Sequence, residues 1–283
     1  MPQEIELKLA LAEDGPDRLS AQPLLSHSPE RLALANTYFD TPRGELEAAR
    51  MALRLRRTDA GWVQTLKTAG QSHGGLSRRG EWEWPVAGDS LDLTRLATLP
   101  PMAALPVDLL ERLAPRFTTD FRRRRWLLDW QGSRIELALD EGEVRAGERR
   151  AAIRELELEL KEGDPAALWQ LAERLAESVP LRPANASKAA RGAALLAGRW
   201  ALPEGGEALA LEARALAALD ALDDSGDAAF LAEAQRAYAR LAALDTADAP
   251  TQRLARRLAQ ALDNDWTTDA GRDALALARH LHG

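Results

Sequence analysis

Cysteine is absent from the 283 residues, which excludes disulfides, thiolate metal sites and a cysteine nucleophile. Lysine is nearly absent too: of 37 basic residues only Lys8, Lys67, Lys161 and Lys188 are lysine. Where arginine is the habit, a lysine marks a place for a compact ammonium charge instead of a planar guanidinium. No apolar run approaches the ~20 residues of a membrane span, and Met1 leads into alternating residues and not into a basic, then apolar leader. A cytoplasmic protein is therefore expected. A surplus of positive charge is also missing. Residues 1–200 hold 29 Lys/Arg against 30 Asp/Glu, and residues 201–283 hold 8 against 14. The net charge of −7 argues against nucleic acid or an anionic membrane as partner. The glycine-rich stretch 70–75 lacks the Gly-Lys-Ser/Thr of a P-loop and reads as a hairpin connection.

What the chain does have is alternation. Gln3 to Leu9 sets Glu4, Glu6 and Lys8 on one face of a strand and Ile5, Leu7 and Leu9 on the other. Taken alone, this is equally an edge strand with a solvated salt-bridge face. Far away, Ile153 to Leu160 places Glu155, Glu157 and Glu159 in a row, a repulsive arrangement tolerable in water or around a cation. Arg54 and Arg56 share one face of their strand, Arg123 and Arg125 one face of theirs, and Glu136 and Asp140 alternate with Ile135, Leu137 and Leu139. Arg79, Glu81 and Glu83 alternate with Gly80, Trp82 and Trp84, and the charges face inward if the tryptophans pack outward. One arrangement reconciles these strands: a closed sheet with aliphatic rows outward under helices and ionised groups inward around a polar tunnel. Such a cavity suits a polyanion with a divalent metal.

The Glu-x-Glu-x-Lys start, Thr37 to Pro42, Leu53-Arg54-Leu55-Arg56, Gln64-Thr65-Leu66-Lys67, the triple Glu-Leu and Ser187-Lys188-Ala189-Ala190-Arg191 occur in this order. Together they resemble the CYTH domain of the triphosphate tunnel metalloenzymes, and most of all the bacterial inorganic triphosphatases in which CYTH precedes a helical CHAD domain. The resemblance implies an α+β fold: a closed antiparallel β-barrel tunnel of about eight strands with flanking helices, followed by a helical bundle. It implies hydrolysis of tripolyphosphate to pyrophosphate and phosphate with Mg²⁺ or Mn²⁺. Glu4, Glu6, Glu155, Glu157 and Glu159 would surround the metal. Lys8, Arg54, Arg56, Lys67, Arg79, Arg123, Arg125, Lys188 and Arg191 would hold the phosphates, with Glu81 and Glu136 beside them, and Lys8, Lys67, Arg54 and Arg56 would be catalytic. Other substrates of the same fold, thiamine triphosphate or ATP for a class IV adenylyl cyclase, and non-catalytic polyphosphate binding stay open.

Residues 1–200 are thus expected as the tunnel domain and 204–283 as a partial CHAD-like bundle, with helices at about 206–222, 226–244, 248–262 and 268–281. Several smaller expectations complete the reading. Tyr38 and Phe39 are packing residues, Lys161 is a surface charge, residues 88–114 hold two short helical pieces around Pro100-Pro101, Glu141-Gly142 is a turn, and His280 and His282 fray at the chain end.

Overall fold

A computed structural model of the chain describes residues 3–68, 71–262 and 266–282. In chain order its elements are β1 (Gln3–Leu11), α1 (Gly15–Ser20), β2 (Glu30–Asp40), α2 (Glu45–Ala48), β3 (Met51–Thr58), β4 (Gly61–Thr68), β5 (Gln71–His73), β6 (Leu76–Val86), α3 (Leu93–Ala97), β7 (Ala114–Trp130), β8 (Ser133–Ala146), β9 (Arg149–Glu162), α4 (Ala166–Ala176), β10 (Leu181–Pro183), α5 (Lys188–Ala197), α6 (Ala208–Ser225), α7 (Ala228–Ala242), α8 (Ala249–Ala261) and α9 (Thr268–His282). No helix among the described residues is long and apolar enough to cross a membrane.

The strands form one sheet in the order β10-β1-β9-β8-β7-β2-β3-β4-β6-β5. Its longest ladders join β8 to β7 and to β9 over thirteen residue pairs each, whereas a further ladder between β1 and β6 spans only five, Gln3–Leu7 against Leu76–Gly80. The architecture is therefore α+β, with the antiparallel sheet curled into a half-barrel. Where the sequence reading expects a barrel closed all round, the sheet is an open half-barrel whose strands β1 and β6 meet only over this short ladder.

Parity is fixed by leucine. Leu7, Leu9, Leu137, Leu139, Leu156 and Leu158 are fully buried on the outer face of β1, β8 and β9, under the Leu168, Leu171 and Leu175 stripe of α4. Truncating any one to alanine costs about 2–5 kcal/mol. A one-residue slip would carry the whole set to the charged face, so the register is strongly specified. A second outer cluster packs Leu53, Leu66 and Trp84 against Leu46, Leu96 and Leu109. It is roofed by α2, α3 and two 3-10 turns, Pro100–Ala104 and Val107–Arg112, and the two prolines open the first of these turns.

One strand departs from expectation. β8 runs straight through Glu141-Gly142, with no turn there. The apolar residues change face at that point: Ile135, Leu137 and Leu139 belong to the outer core, whereas Val144 and Ala146 join Phe121, Ile153 and Leu195 of α5 in an inner cluster. Gly142 is needed where the strands close up, since a Cβ on it would lie 2.1 Å from the Asp120 carbonyl oxygen. The inner face is thus charged along most of its length and apolar at the end that α5 covers.

The tail has four helices within two or three residues of the expected bounds, with a core built on Leu211, Leu219, Tyr238, Leu241, Leu258 and Leu277. It is docked on the sheet. Leu275 and Ala278 enter the outer core beside α4. Trp266 Nε1 donates to the Leu181 carbonyl at 2.8 Å. Gly271 lets α9 run against β10, because a Cβ there would meet the Leu181 oxygen at 2.1 Å. His280 and His282, expected to fray, pair with Asp248 at 2.6 Å and Glu212 at 3.1 Å, and the His282 side chain is buried. A helix end that packs has no freedom to fray.

Candidate active site

The curled sheet encloses a cavity of about 1060 Å³ whose wall includes Glu4, Lys8, Arg54, Lys67, Arg123 and Glu157. Register explains the convergence. Lys8 lies opposite Glu157, Glu6 opposite Glu159, Asp140 opposite Glu155 and opposite Arg123, and Lys67 opposite Glu81. Directly opposed antiparallel residues point to the same face. The charged rows of distant segments therefore meet, with acids concentrated on the neighbouring strands β1, β9 and β8.

At the centre the carboxylate oxygens of Asp140, Glu155 and Glu157 lie within 4.8 Å of one another. Three cations hold them there. Lys188 Nζ donates to Asp140 at 2.6 Å and Glu157 at 3.1 Å and also bonds Glu155. Arg123 grips both Asp140 oxygens at 2.7 Å and reaches Glu157 at 2.5 Å. Lys8 Nζ stands 3.3 Å from Glu157 and 3.9 Å from Glu155. Asp140 and Glu155 do not line the cavity and sit behind its surface. Burial alone would raise the Glu157 carboxyl, but Lys188, Arg123 and Lys8 outweigh it and hold it well below the usual carboxylate range. Burial would likewise lower the Lys188 ammonium, yet Asp140, Glu155 and Glu157 push it well above its ordinary value.

The β3 wall is different. Burial, then Arg54 and Arg123, push the Arg56 guanidinium down to about 9, and its Nε donates to the neutral Asn36 carboxamide at 2.8 Å. Arg54 Nη2 is 3.7 Å from Glu81 and 3.8 Å from Glu83, beyond hydrogen-bond reach, and the buried Arg54 Nε finds no acceptor among the described residues. Here positive charge is crowded and under-neutralised, a standing demand for an anion.

The expected metal set is split between groups. Glu155 and Glu157 join Asp140 at the centre. Glu4 accepts from Lys67 at 3.1 Å, and Lys67 also pairs with Glu81 at 2.9 Å. Glu159 pairs with Lys161 at 2.7 Å near the rim, where Lys161 also comes within 3.6 Å of Glu136. Lys161 is exposed, the surface charge the sequence reading expects, and it joins the rim charge network. Glu6 lines the same cavity and is buried. Arg125 bridges Glu30 and Glu136 at the rim, and Glu83 is 48% exposed there, accepting from Thr65 at 3.1 Å. Arg191 is committed elsewhere: its Nε and Nη2 reach Asp224 of α6 at 2.7 and 2.5 Å, and Nη1 is 3.6 Å from Glu155. The Arg79 side chain lies outside the described residues; its backbone pairs with Glu4.

Tyr38 does more than pack. It stacks on Phe117 with centroids 4.8 Å apart, and it also lines the cavity. Burial raises its phenol, but Arg54, Lys188 and Arg56 outweigh that and lower it. The signal was the pairing of Tyr38 with Arg54 and Asn36 with Arg56 across the β2–β3 ladder, which places both on the charged face. Trp82 and Trp84 pack into the outer core, as the alternation of β6 requires.

A family model described as the CYTH domain matches residues 2–193. The inorganic triphosphatase of Haemophilus influenzae is 39% identical over 197 residues, covering 68% of this chain and 54% of that protein. The chain thus spans about half the length of the curated relative it matches. Among solved structures, the putative adenylyl cyclase HpAC1 from Hippeastrum, described as having a dominant triphosphatase activity, superposes with a TM-score of 0.51. It is 23% identical, over 69% of this chain and 96% of that one, a likeness that concerns the fold.

Proposed function

Since the chain belongs to the CYTH domain family, we propose that it hydrolyses inorganic triphosphate to pyrophosphate and phosphate with the aid of Mg²⁺ or Mn²⁺. The observation that carries this reading is the under-neutralised Arg54–Arg56 wall in the same cavity as Glu157, the member of the three-carboxylate cluster that lines it. A linear polyanion satisfies the first, and a divalent cation the second.

The donor set fits the ion. It is all oxygen, with Asp140, Glu155 and Glu157 close enough to share it and Glu4, Glu6 and Glu159 on the same face, which suits a hard cation better than zinc. A bound divalent ion would neutralise phosphate charge and acidify the attacking water. The chain's own residues do the rest. Arg54, Arg56 and Arg123 offer fork-like guanidinium donors to phosphate oxygens, while Lys8, Lys67 and Lys188 add point charges. In the resting site ion pairs hold Arg123, Lys8, Lys67 and Lys188. A triphosphate in the cavity would offer its oxygens to these cations, and Glu157, with Asp140 and Glu155 behind it, would be the carboxylates that hold the metal ion. Catalysis by positioning and charge stabilisation needs little more. The division into a tunnel domain at 1–200 and a helical domain at 204–283 belongs to this proposal, with the helical part reading as half of a CHAD bundle.

A substrate panel of tripolyphosphate, ATP and thiamine triphosphate, each with Mg²⁺, Mn²⁺ or EDTA, tests the reading. Tripolyphosphate should be the preferred substrate, and EDTA should abolish turnover. Tight polyphosphate binding without turnover in either metal would make this a binding protein instead.

A further inference from the structure

The C-terminal helices take no part in the chemistry argued so far, yet one turn of α6 reaches the cavity residues. Asp220 and Asp224 are four apart and so share a face of the helix, and both are buried. Asp220 Oδ1 accepts from Arg182 Nη1 at 2.7 Å, while Oδ2 accepts from the backbone N–H groups of Asn185 and Ala186 at 3.0 and 2.9 Å. That loop leads straight into α5, whose first residue is Lys188 and whose cap is Ser187. The same loop is tied to β1. Asn185 Oδ1 accepts from the Gly75 N–H at 2.8 Å, the Gly75 carbonyl accepts from the Lys8 N–H at 2.9 Å, and the Lys8 carbonyl accepts from the Ala184 N–H at 3.0 Å. Asp224 in turn accepts from Arg191 Nε and pairs with its Nη2, and among the described residues Arg191 otherwise has the Ala152 carbonyl at 2.6 Å and the more distant Glu155 to aim it. Gly75, Lys8, Asn185, Lys188, Arg191, Asp220 and Asp224 all line one cavity.

We propose that Asp220 and Asp224 are positioning residues for the triphosphate site, through which the helical tail sets the placement of Lys8, Lys188 and Arg191. This rests on reading the cavity as that site. Each carboxylate works as a pure acceptor: Asp220 faces three donors and Asp224 two, so an asparagine there removes the charge and turns one acceptor into a donor aimed at donors. The tail is then not an appendage. It supplies one wall of the device that aims the cations, and a triphosphate that needs those cations should feel its loss as weaker binding.

The test uses the full chain with Asp220→Asn and Asp224→Asn, the charge-keeping Asp220→Glu and Asp224→Glu as rescues, and Glu233→Gln as control. Glu233 is a half-buried partner of Arg214 within the tail and does not line the cavity. Tripolyphosphate kinetics should show KM raised roughly ten- to a hundredfold in each asparagine variant, the size of one or two charge-assisted hydrogen bonds. The turnover number should change little, as expected when binding common to ground and transition states is lost. The glutamates should recover part of it and Glu233→Gln should match the parent. Amide exchange gives a readout independent of turnover: Asp220→Asn should speed exchange at Gly75 and Lys8, which it does not touch. Unchanged KM in the asparagine variants, an equal rise in Glu233→Gln, or unchanged protection at Gly75 and Lys8 would overturn the inference. Failure of the parent chain to turn over tripolyphosphate would instead overturn the function, and the exchange result would still decide the positioning.

Discussion

Replacing Lys188 with alanine is the most informative single perturbation of the resting site. The ammonium is buried and touches Asp140, Glu155 and Glu157, which among the described residues it alone contacts together. Without it, Arg123, Lys8 and the more distant Arg191 must serve three clustered carboxylates. Breaking a buried ion pair by removing one partner costs about 3–5 kcal/mol, because the remaining charge is left uncompensated. For a chain of this size that is a fall in Tm of about 10 °C. The loss should shrink when a divalent cation is added, since the orphaned carboxylates gain the partner that the cluster can take. It should also shrink on acidification, since one carboxylate then protonates. In the parent the sign is opposite. The Glu157 carboxyl is depressed, so its contribution is present above the ordinary glutamate value and is lost as pH falls toward its folded value. The raised Lys188 ammonium contributes fully below the ordinary lysine value and loses its contribution only at strongly alkaline pH. Thermal denaturation of both proteins at neutral and acid pH, in EDTA and with Mg²⁺, checks this. A Lys188→Ala protein as stable as the parent in EDTA at neutral pH would refute the reasoning.

Further outcomes follow from single contacts. Lys67→Ala should lower tripolyphosphate turnover by at least about tenfold, because it removes a cation facing the cavity and leaves Glu4 and Glu81 to repel each other; steady-state phosphate release measures it. Gly142→Ala should destabilise the fold by about 1–3 kcal/mol, because the new Cβ meets backbone atoms of Asp120 and Phe121 that cannot swing away; urea denaturation would detect the loss. Gly271→Ala should do the same for the docking of α9 on β10, and protection of the Trp266 indole N–H from exchange should fall with it.

Side-chain parity made the inner wall legible in the sequence. Glu4-x-Glu6-x-Lys8 and Glu155-x-Glu157-x-Glu159 carry opposite faces on which Leu7, Leu156 and Leu158 bury completely, so only one assignment of inside and outside is stable. Where the apolar residues change sides within a single strand, as β8 does at Gly142, local alternation imitates a turn, and only the position of α5 explains it. The partition of the acids was illegible for another reason. Period 2 says that Glu4 and Glu157 share a face, but not that Lys67 claims one and Lys188 the other; that depends on which strands adjoin and which helix end overhangs them. The role of α6 was hidden in an alanine- and leucine-rich helix. Its only local sign is acids at positions 220 and 224 on a face that buries, and their partners lie 34 to 38 residues upstream for Asp220 and 33 for Asp224.

The central claim is that the crowded guanidinium wall exists to receive a chain of phosphates. Calorimetric titration of tripolyphosphate in EDTA into the parent chain and into Arg54→Gln/Arg56→Gln addresses it without relying on turnover. Saturable binding to the parent that the double variant loses is the predicted result; equal affinity in both, or no binding to the parent, would contradict it.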